Sequence, residues 1–473
     1  MRPSFLKNTL LLCCSIFIAF AALAENTVKL HGKITNPATD SVSVQFYVND
    51  VEVQAKNYAA HLSNDGKFSL QFPVADEFTS IMFVHGDQMT ELTVKPGYDL
   101  DMTLDAKNFD SSLHYTGKGA AEANFCALHE LIYGSQLMFE RNAQLLCTKD
   151  PADFERSLDS TYKVEMAFVN EHKKGLDPAF VKFWSAGYRY GTYSVMLIYP
   201  QFHEMNKQHT MYIKDIPQED YVVLKDVPEA FDDDLLSLSA YQVYVNRLYE
   251  AGLNKAGIKE KAFDSLTHFA LGHNNMPPKT ADFYAATVIN RNFKFGTLAS
   301  SEEAVATYKK RFPHGRYTAL LERNLTTKRK LSPGSPAVDF AFHTLDGKDV
   351  HLSDLKGKVV MLDFWASWCM PCIAEMPKAA ELEKSYKDKD IIFLYVSVDE
   401  DESNWKKAIE KHNIEGMHTR AAGAMEGPVA KEYAIQSIPS YYLIDKNGNY
   451  ADMQMLRPHD GDKLKAIIDS LLK

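Results

Sequence analysis

Between Glu25 and Gly119, apolar and polar residues alternate with a period of two in several runs. These are Val42, Val44, Phe46 and Val48, then Phe68, Leu70 and Phe72, then Leu100, Met102 and Leu104. That period predicts strands with one buried face. Asn64-Asp65-Gly66 and Pro96-Gly97 are tight-turn sequences placed among these runs. Short strands with regular turns predict a small all-β, sandwich-like or barrel-like domain over residues 25–119. From Ala120 to Lys330 the apolar spacing lengthens to three and four, as in Phe180, Phe183 and Trp184 or Leu235, Leu238 and Tyr241. A central α-helical region is predicted there. The aromatic stripe Tyr188, Tyr190 and Tyr193 is read as packing between helices.

Lys328-Arg329-Lys330 is followed by Leu331-Ser332-Pro333-Gly334-Ser335-Pro336, whose prolines and glycine predict an extended, solvated connector. Residues 331–473 then read as one α/β unit. Phe340 to Leu352 is a hairpin turning at Asp346-Gly347. Val359 to Trp365 is nearly continuous apolar sequence, as a strand buried on both faces requires. Ile373 to Lys387 has helical spacing, Ile391 to Val398 reads as a buried strand and Asn404 to Lys411 as a helix. Tyr441 to Ile444 is a third strand, and Leu464 to Leu472 a closing helix.

At 473 residues the chain is too long for one ordinary core, so two or three domains are expected. With 45% hydrophobic and 24% charged residues it has the composition of a folded protein. A net charge of -10 argues against a nucleic-acid partner and against docking on an anionic membrane. Arg2 and Lys7, the apolar run Thr9 to Leu23 and the small-x-small site Ala22-Leu23-Ala24 read as a cleavable signal peptide over residues 1–24. The run is short for a membrane span, so cleavage is favoured over anchoring. Losing Arg2 and Lys7 changes the charge by -2, from -10 to -12, and Cys13 and Cys14 leave as well. An exported protein retaining only Cys126, Cys147, Cys369 and Cys372 is not a disulfide scaffold. It is better read as acting on the cysteines of other proteins in an oxidising compartment.

The chemistry concentrates at Trp368-Cys369-Met370-Pro371-Cys372, directly after the apolar strand. Two cysteines separated by two residues at a strand-to-helix junction make a reversible disulfide switch. The helix N-terminus favours the thiolate of the first cysteine, which is the form that attacks a disulfide. A zinc half-site is the alternative, but no second CxxC or HxxxH pair completes four ligands. Neither a metal nor a cofactor is implied. Pro371 suits the start of a helix, where a missing N–H costs little. Asp363, inside the apolar strand, is expensive to bury and its pKa is expected to be raised. The plainer reading makes it a strand-end residue satisfied by a backbone amide. Glu375 lies one helical turn beyond Cys372, and is either part of the site or a solvated acid favoured by the helix dipole. Trp365 is read as core.

Phe364-Trp365-Ala366-Ser367-Trp368-Cys369-Met370-Pro371-Cys372 resembles the thioredoxin superfamily. Pro336-Ala337-Val338-Asp339-Phe340, Leu352 to Lys358 and Glu375-Met376-Pro377 narrow the resemblance to TlpA-like (ResA-type) thiol-disulfide oxidoreductases. It covers roughly residues 331 to 473 and implies a thioredoxin-like fold there. By that resemblance Cys369 is the exposed nucleophile and Cys372 the buried resolving cysteine. Asp363 helps move the proton of Cys372, and Glu375 tunes the cysteines. Pro439 in Ile438-Pro439-Ser440 is the cis-proline. Ile438 presents its backbone to a substrate strand, Pro371 helps set the redox poise, and Trp368 packs beside the cysteines and shields the disulfide.

The expectation is an exported, periplasmic reductase of disulfide-containing client proteins, recharged by a membrane electron-transfer protein. Disulfide isomerisation is the alternative direction. A client-binding or dimerisation module ahead of an accessory redox domain is the alternative emphasis. A peroxiredoxin-type peroxidase shares the Pro-Ala-x-Asp-Phe start but needs a threonine where Ala366 stands. Cys126 and Cys147 are either a structural disulfide or two core residues. Gly117-Lys118-Gly119 reads as a turn, and His129-Glu130 and His203-Glu204 lack the second histidine of a zinc-protease motif.

Overall fold

The computed structural model describes residues 26–473 except 49–50, 53, 135–144, 210–215, 256–266, 268–269, 273–274 and 452–455. The predicted signal peptide, with Cys13 and Cys14, lies outside the described residues. The chain divides into two compact units, one ending at Val288 and the other running from Ile289 to Lys473. The division falls inside the helix Pro278–Phe295.

The first unit opens with eight strands: β1 (Thr27–Thr35), β2 (Ser41–Val48), β3 (Gln54–His61), β4 (Lys67–Pro73), β5 (Thr79–His85), β6 (Gln88–Val94), β7 (Asp99–Asp105) and β8 (His114–Lys118). They form two four-stranded sheets, ordered β4-β1-β7-β8 and β3-β2-β5-β6. Alternating burial in β1, β4 and β7 puts one face of each strand inside, as period two requires. Rings of Phe46 and Tyr58 from one sheet meet Phe72 of the other, and Phe68 meets Phe83. The two turn sequences do not close hairpins. Asn64-Asp65-Gly66 and Pro96-Gly97 each carry the chain from one sheet to the other. Gly66 has φ +78°, and a Cβ there would lie 2.3 Å from the Ile34 carbonyl oxygen, so glycine is required.

Helices follow: α1 (Ala120–Tyr133), α2 (Pro151–His172), α3 (Pro178–Gln208) and α4 (Ser239–Lys255). Gly117 and Gly119 both have positive φ, as the turn reading expects, and Gly119 caps α1. Asn124 on α1 accepts the Tyr115 N–H at 2.9 Å and donates to its carbonyl at 2.8 Å, tying the helix to β8. Tyr190 packs on Tyr241 and Tyr244, so the aromatic stripe belongs to the helical core. His129 is a satisfied core residue. Its Nε2 lies 2.6 Å from Glu165 and 3.0 Å from the Tyr188 hydroxyl. Cys126 and Cys147 are both free and buried, which settles that alternative against a disulfide.

The second unit continues with the helix α5 (Thr318–Lys330), whose last turn contains Lys328, Arg329 and Lys330, where cations suit the helix dipole. The expected solvated connector is different in the structure. Gly334 N–H donates to the Tyr450 carbonyl at 2.8 Å, Tyr450 N–H to Ser335 at 2.9 Å and Ala337 N–H to Gly448 at 2.9 Å. Pro336 bridges Asn449, and a prolyl lacks only a donor that this antiparallel bridge does not need. The hairpin is β9 (Ala341–His343) and β10 (Asp349–His351). The sheet contains β11 (Val359–Trp365), β12 (Ile391–Ser397), β13 (Met417–Arg420), β14 (Ser440–Ile444) and β15 (Tyr450–Ala451), in the order β13-β12-β11-β14-β15. Every residue of central β11 is buried. It pairs parallel with β12 and antiparallel with β14. Around the sheet lie α6 (Met370–Ser385), α7 (Glu402–His412) and α8 (Asp462–Leu472). At the β13 rim, Leu345 N–H donates to the His418 carbonyl at 3.1 Å.

Burial pushes both the Cys126 and the Cys147 thiols up to about 12. In protein lacking residues 1–24, iodoacetamide should therefore modify no cysteine in the native, unreduced state. Denaturation without reductant should release two sites and denaturation with reductant four, as counted by intact mass.

Candidate active site

The end of β11 turns through Ala366-Ser367-Trp368 into α6, and Cys369 is the N-cap of that helix. Its backbone is extended, and its Sγ accepts the Cys372 N–H at 3.2 Å, replacing one partner that a helix start lacks. Pro371 occupies the first turn, where no donor is needed. Cys369 and Cys372 are joined in a disulfide. Cys369 differs from expectation in being only 4% exposed. The disulfide and the capping bond turn its sulfur back over the first helical turn. Trp368 and Met370 form the surface there, 60% and 71% exposed. Trp365 is core, as read.

Asp363 stands mid-strand in β11, in register with Tyr395 of β12 and Tyr441 of β14. It is 4% exposed, and its Oδ1 has no hydrogen-bond partner among the described residues. Burial, and then the nearby Glu375 charge, holds its carboxyl well above the usual carboxylate range. A strand-end acid satisfied by a backbone amide does not describe this geometry. Glu375 is likewise not solvated. It is 2% exposed, and its carboxylate meets His459, whose backbone N–H is 3.2 Å from Oε2 and whose Nδ1 is 2.6 Å from Oε1. His459 sits 84 residues away, in the short turn Pro458–Asp460 before α8, and no local sequence pattern links the two.

Asp399 also escaped sequence reading. It lies just past β12, buried, and accepts the Ser367 N–H at 2.8 Å, the Ser367 hydroxyl at 2.6 Å and the Ser397 hydroxyl at 2.8 Å. This carboxylate fastens the turn that delivers Trp368 and Cys369. Arg420 of β13 steadies the same corner by donating to the Asp399 and Glu400 carbonyls at 3.4 and 3.2 Å. The Ser-Val-Asp spacing after a buried strand was the available clue. Across the sheet, Ser440 pairs with Phe364, so the preceding Pro439 lies beside the Trp365 end of β11. The Ile438–Pro439 bond is cis. Pro439 is buried and Ile438 partly so, packed on the core.

Residues 332–466 match the Redoxin family model. The thiol-disulfide oxidoreductase ResA of Bacillus thuringiensis subsp. konkukian is 30% identical over 154 residues, covering 33% of this chain and 84% of that protein. The chain belongs to the ResA-type branch of the thioredoxin superfamily. ResA of Geobacillus kaustophilus is 37% identical over 123 residues, 26% of this chain and 69% of its own. A thioredoxin domain of a Bacteroides vulgatus thiol-disulfide oxidoreductase is 31% identical, covering 30% of this chain and 99% of that one with a TM-score of 0.28. This ResA-type member is accordingly a thiol-disulfide oxidoreductase, with its thioredoxin-like domain at the C-terminal end.

A raised Asp363 means that, above the reference value of 3.8, the unfolded chain releases a proton that the folded chain retains. Stability is therefore lost as pH rises, until the folded carboxyl also ionises. Oxidised Asp363→Asn should be more stable than the parent to urea, by a margin that widens as pH rises above about 4. Asp399→Ala strands three donors. It should cost about 3 kcal/mol in urea unfolding and speed hydrogen exchange at the Ser367 amide.

Proposed function

We propose that this protein is exported to the periplasm and reduces disulfides of client proteins through the Cys369/Cys372 couple. The observation that carries this reading is the disulfide seated on the N-terminus of α6, with exposed Trp368 and Met370 beside it. In the reduced protein, the Cys369 thiolate attacks one sulfur of a client disulfide. A mixed disulfide forms, and the other client sulfur leaves with the bonding electron pair and takes a proton. Cys372 then loses its proton and attacks Cys369. The Cys369–Cys372 bond forms, and the second client sulfur leaves as a thiolate. Two electrons pass to the client, and the enzyme ends oxidised.

Asp363 and Glu375 are assigned to the proton and charge balance of the cysteines, Asp363 as the group that helps move the Cys372 proton. Trp368, Pro371 and Ile438 are assigned to the client strand, with Pro439 shaping that loop. Recharging requires a reductant, assigned to a membrane electron-transfer protein. Export rests on the basic start, apolar run and small-x-small site of residues 1–24. No described helix is long and apolar enough to cross a membrane. Residues 25–119 are assigned to a sandwich-like β domain, 120–330 to a helical domain and 331–473 to the redox domain.

Cys369→Ser should abolish reduction of insulin disulfides, whereas Cys372→Ser should accumulate a mixed disulfide visible on a non-reducing gel. Equilibration with glutathione decides the direction. A potential near about -270 mV fits a reductase, and one near about -120 mV would overturn it in favour of an oxidase or isomerase.

A further inference from the structure

One residue engages both oxygens of the buried Glu375 carboxylate. The His459 N–H can only donate, to Oε2 at 3.2 Å, while Nδ1 faces Oε1 at 2.6 Å. Its other nitrogen, Nε2, is 3.8 Å from Asp460. The His459 side chain is 38% exposed, against 2% for that of Glu375, so the imidazole lies between a buried carboxylate and the surface. It is held from outside α6. Arg457 N–H donates to Asp460 at 2.8 Å across the turn, and Pro458 is buried. A burial this complete calls for donors, because a desolvated carboxylate with too few of them takes up a proton.

We infer that His459 is the positioning residue for Glu375, keeping that carboxylate charged and fixed one helical turn from Cys372. Through Glu375 it sets how readily Cys369 forms a thiolate. The inference rests on the assignment of Glu375 to the site. Charged or titratable groups beside this pair among the described residues include Asp363 from β11, Tyr441 from β14 and Asp460 from the turn. Asp363 has no hydrogen-bond partner at Oδ1 among the described residues, and burial holds it toward its neutral form. A negative charge beside a thiol opposes the thiolate.

The test is the pH midpoint of Cys369 alkylation in the reduced full-length protein. H459L should lower it by about one pH unit, because Glu375 then takes up a proton. E375Q should lower it similarly, and adding H459L to E375Q should change nothing further. H459N retains a donor where Nδ1 sits and should restore the parental midpoint. An unchanged midpoint in H459L, with E375Q shifted, would overturn the inference and leave the proposed function standing. So would a His459 effect that persists in E375Q, or failure of H459N to restore. No shift in E375Q would overturn both this inference and the assignment of Glu375 to the site.

Discussion

Burial of β11 on both faces is the constraint on which the C-terminal unit depends. A strand with no solvent face has one tolerable register, because a one-residue slip would alter its pairing along both neighbours at once. That register aligns Asp363 with Tyr395 and Tyr441, delivers the Ser367 turn to Asp399, and sets Ser440 against Phe364. Elements from three separate stretches of sequence therefore converge where β11 ends. The disulfide occupies that point because the strand stops there and the helix must start.

Three buried acids surround this junction, each with a different environment. Asp399 has donors from both sides of the turn and acts as a fastener. Glu375 is met at both carboxylate oxygens by His459, which reaches the surface. Asp363 has an Oδ1 with no partner among the described residues, and its carboxyl is driven toward the neutral form. The same functional group thus sits in three environments that differ in the donors the fold brings to it.

What sequence made legible follows the range of the interactions involved. Val359 to Trp365 and Ile391 onward were visible as continuous apolar runs, and the closing helix by its periodicity, because burial marks the local sequence. The cysteine pair was visible because its spacing is itself the chemistry. The start of α6 was legible from Cys369 and Pro371 rather than from apolar spacing, which begins only at Ile373. The four-residue β13 and two-residue β15 were too short to show a period. His459 and Asp399 were missed for a stronger reason: each acts on a partner distant in sequence, and polar side chains bonded across such distances leave no pattern along the chain. The connector was misread because its backbone pairing, unlike side-chain burial, does not depend on residue type.

That connector alters how the sheet ends. An unpaired rim offers free N–H and C=O groups to any passing strand. Here Gly334 to Ala337 occupies the β15 side, and the hairpin loop donates from Leu345 at the β13 side. The entering chain therefore works as a selvedge, the woven border that keeps a cloth from unravelling or catching. A redox domain cut free just after Pro336 would lose that border and expose the β15 edge.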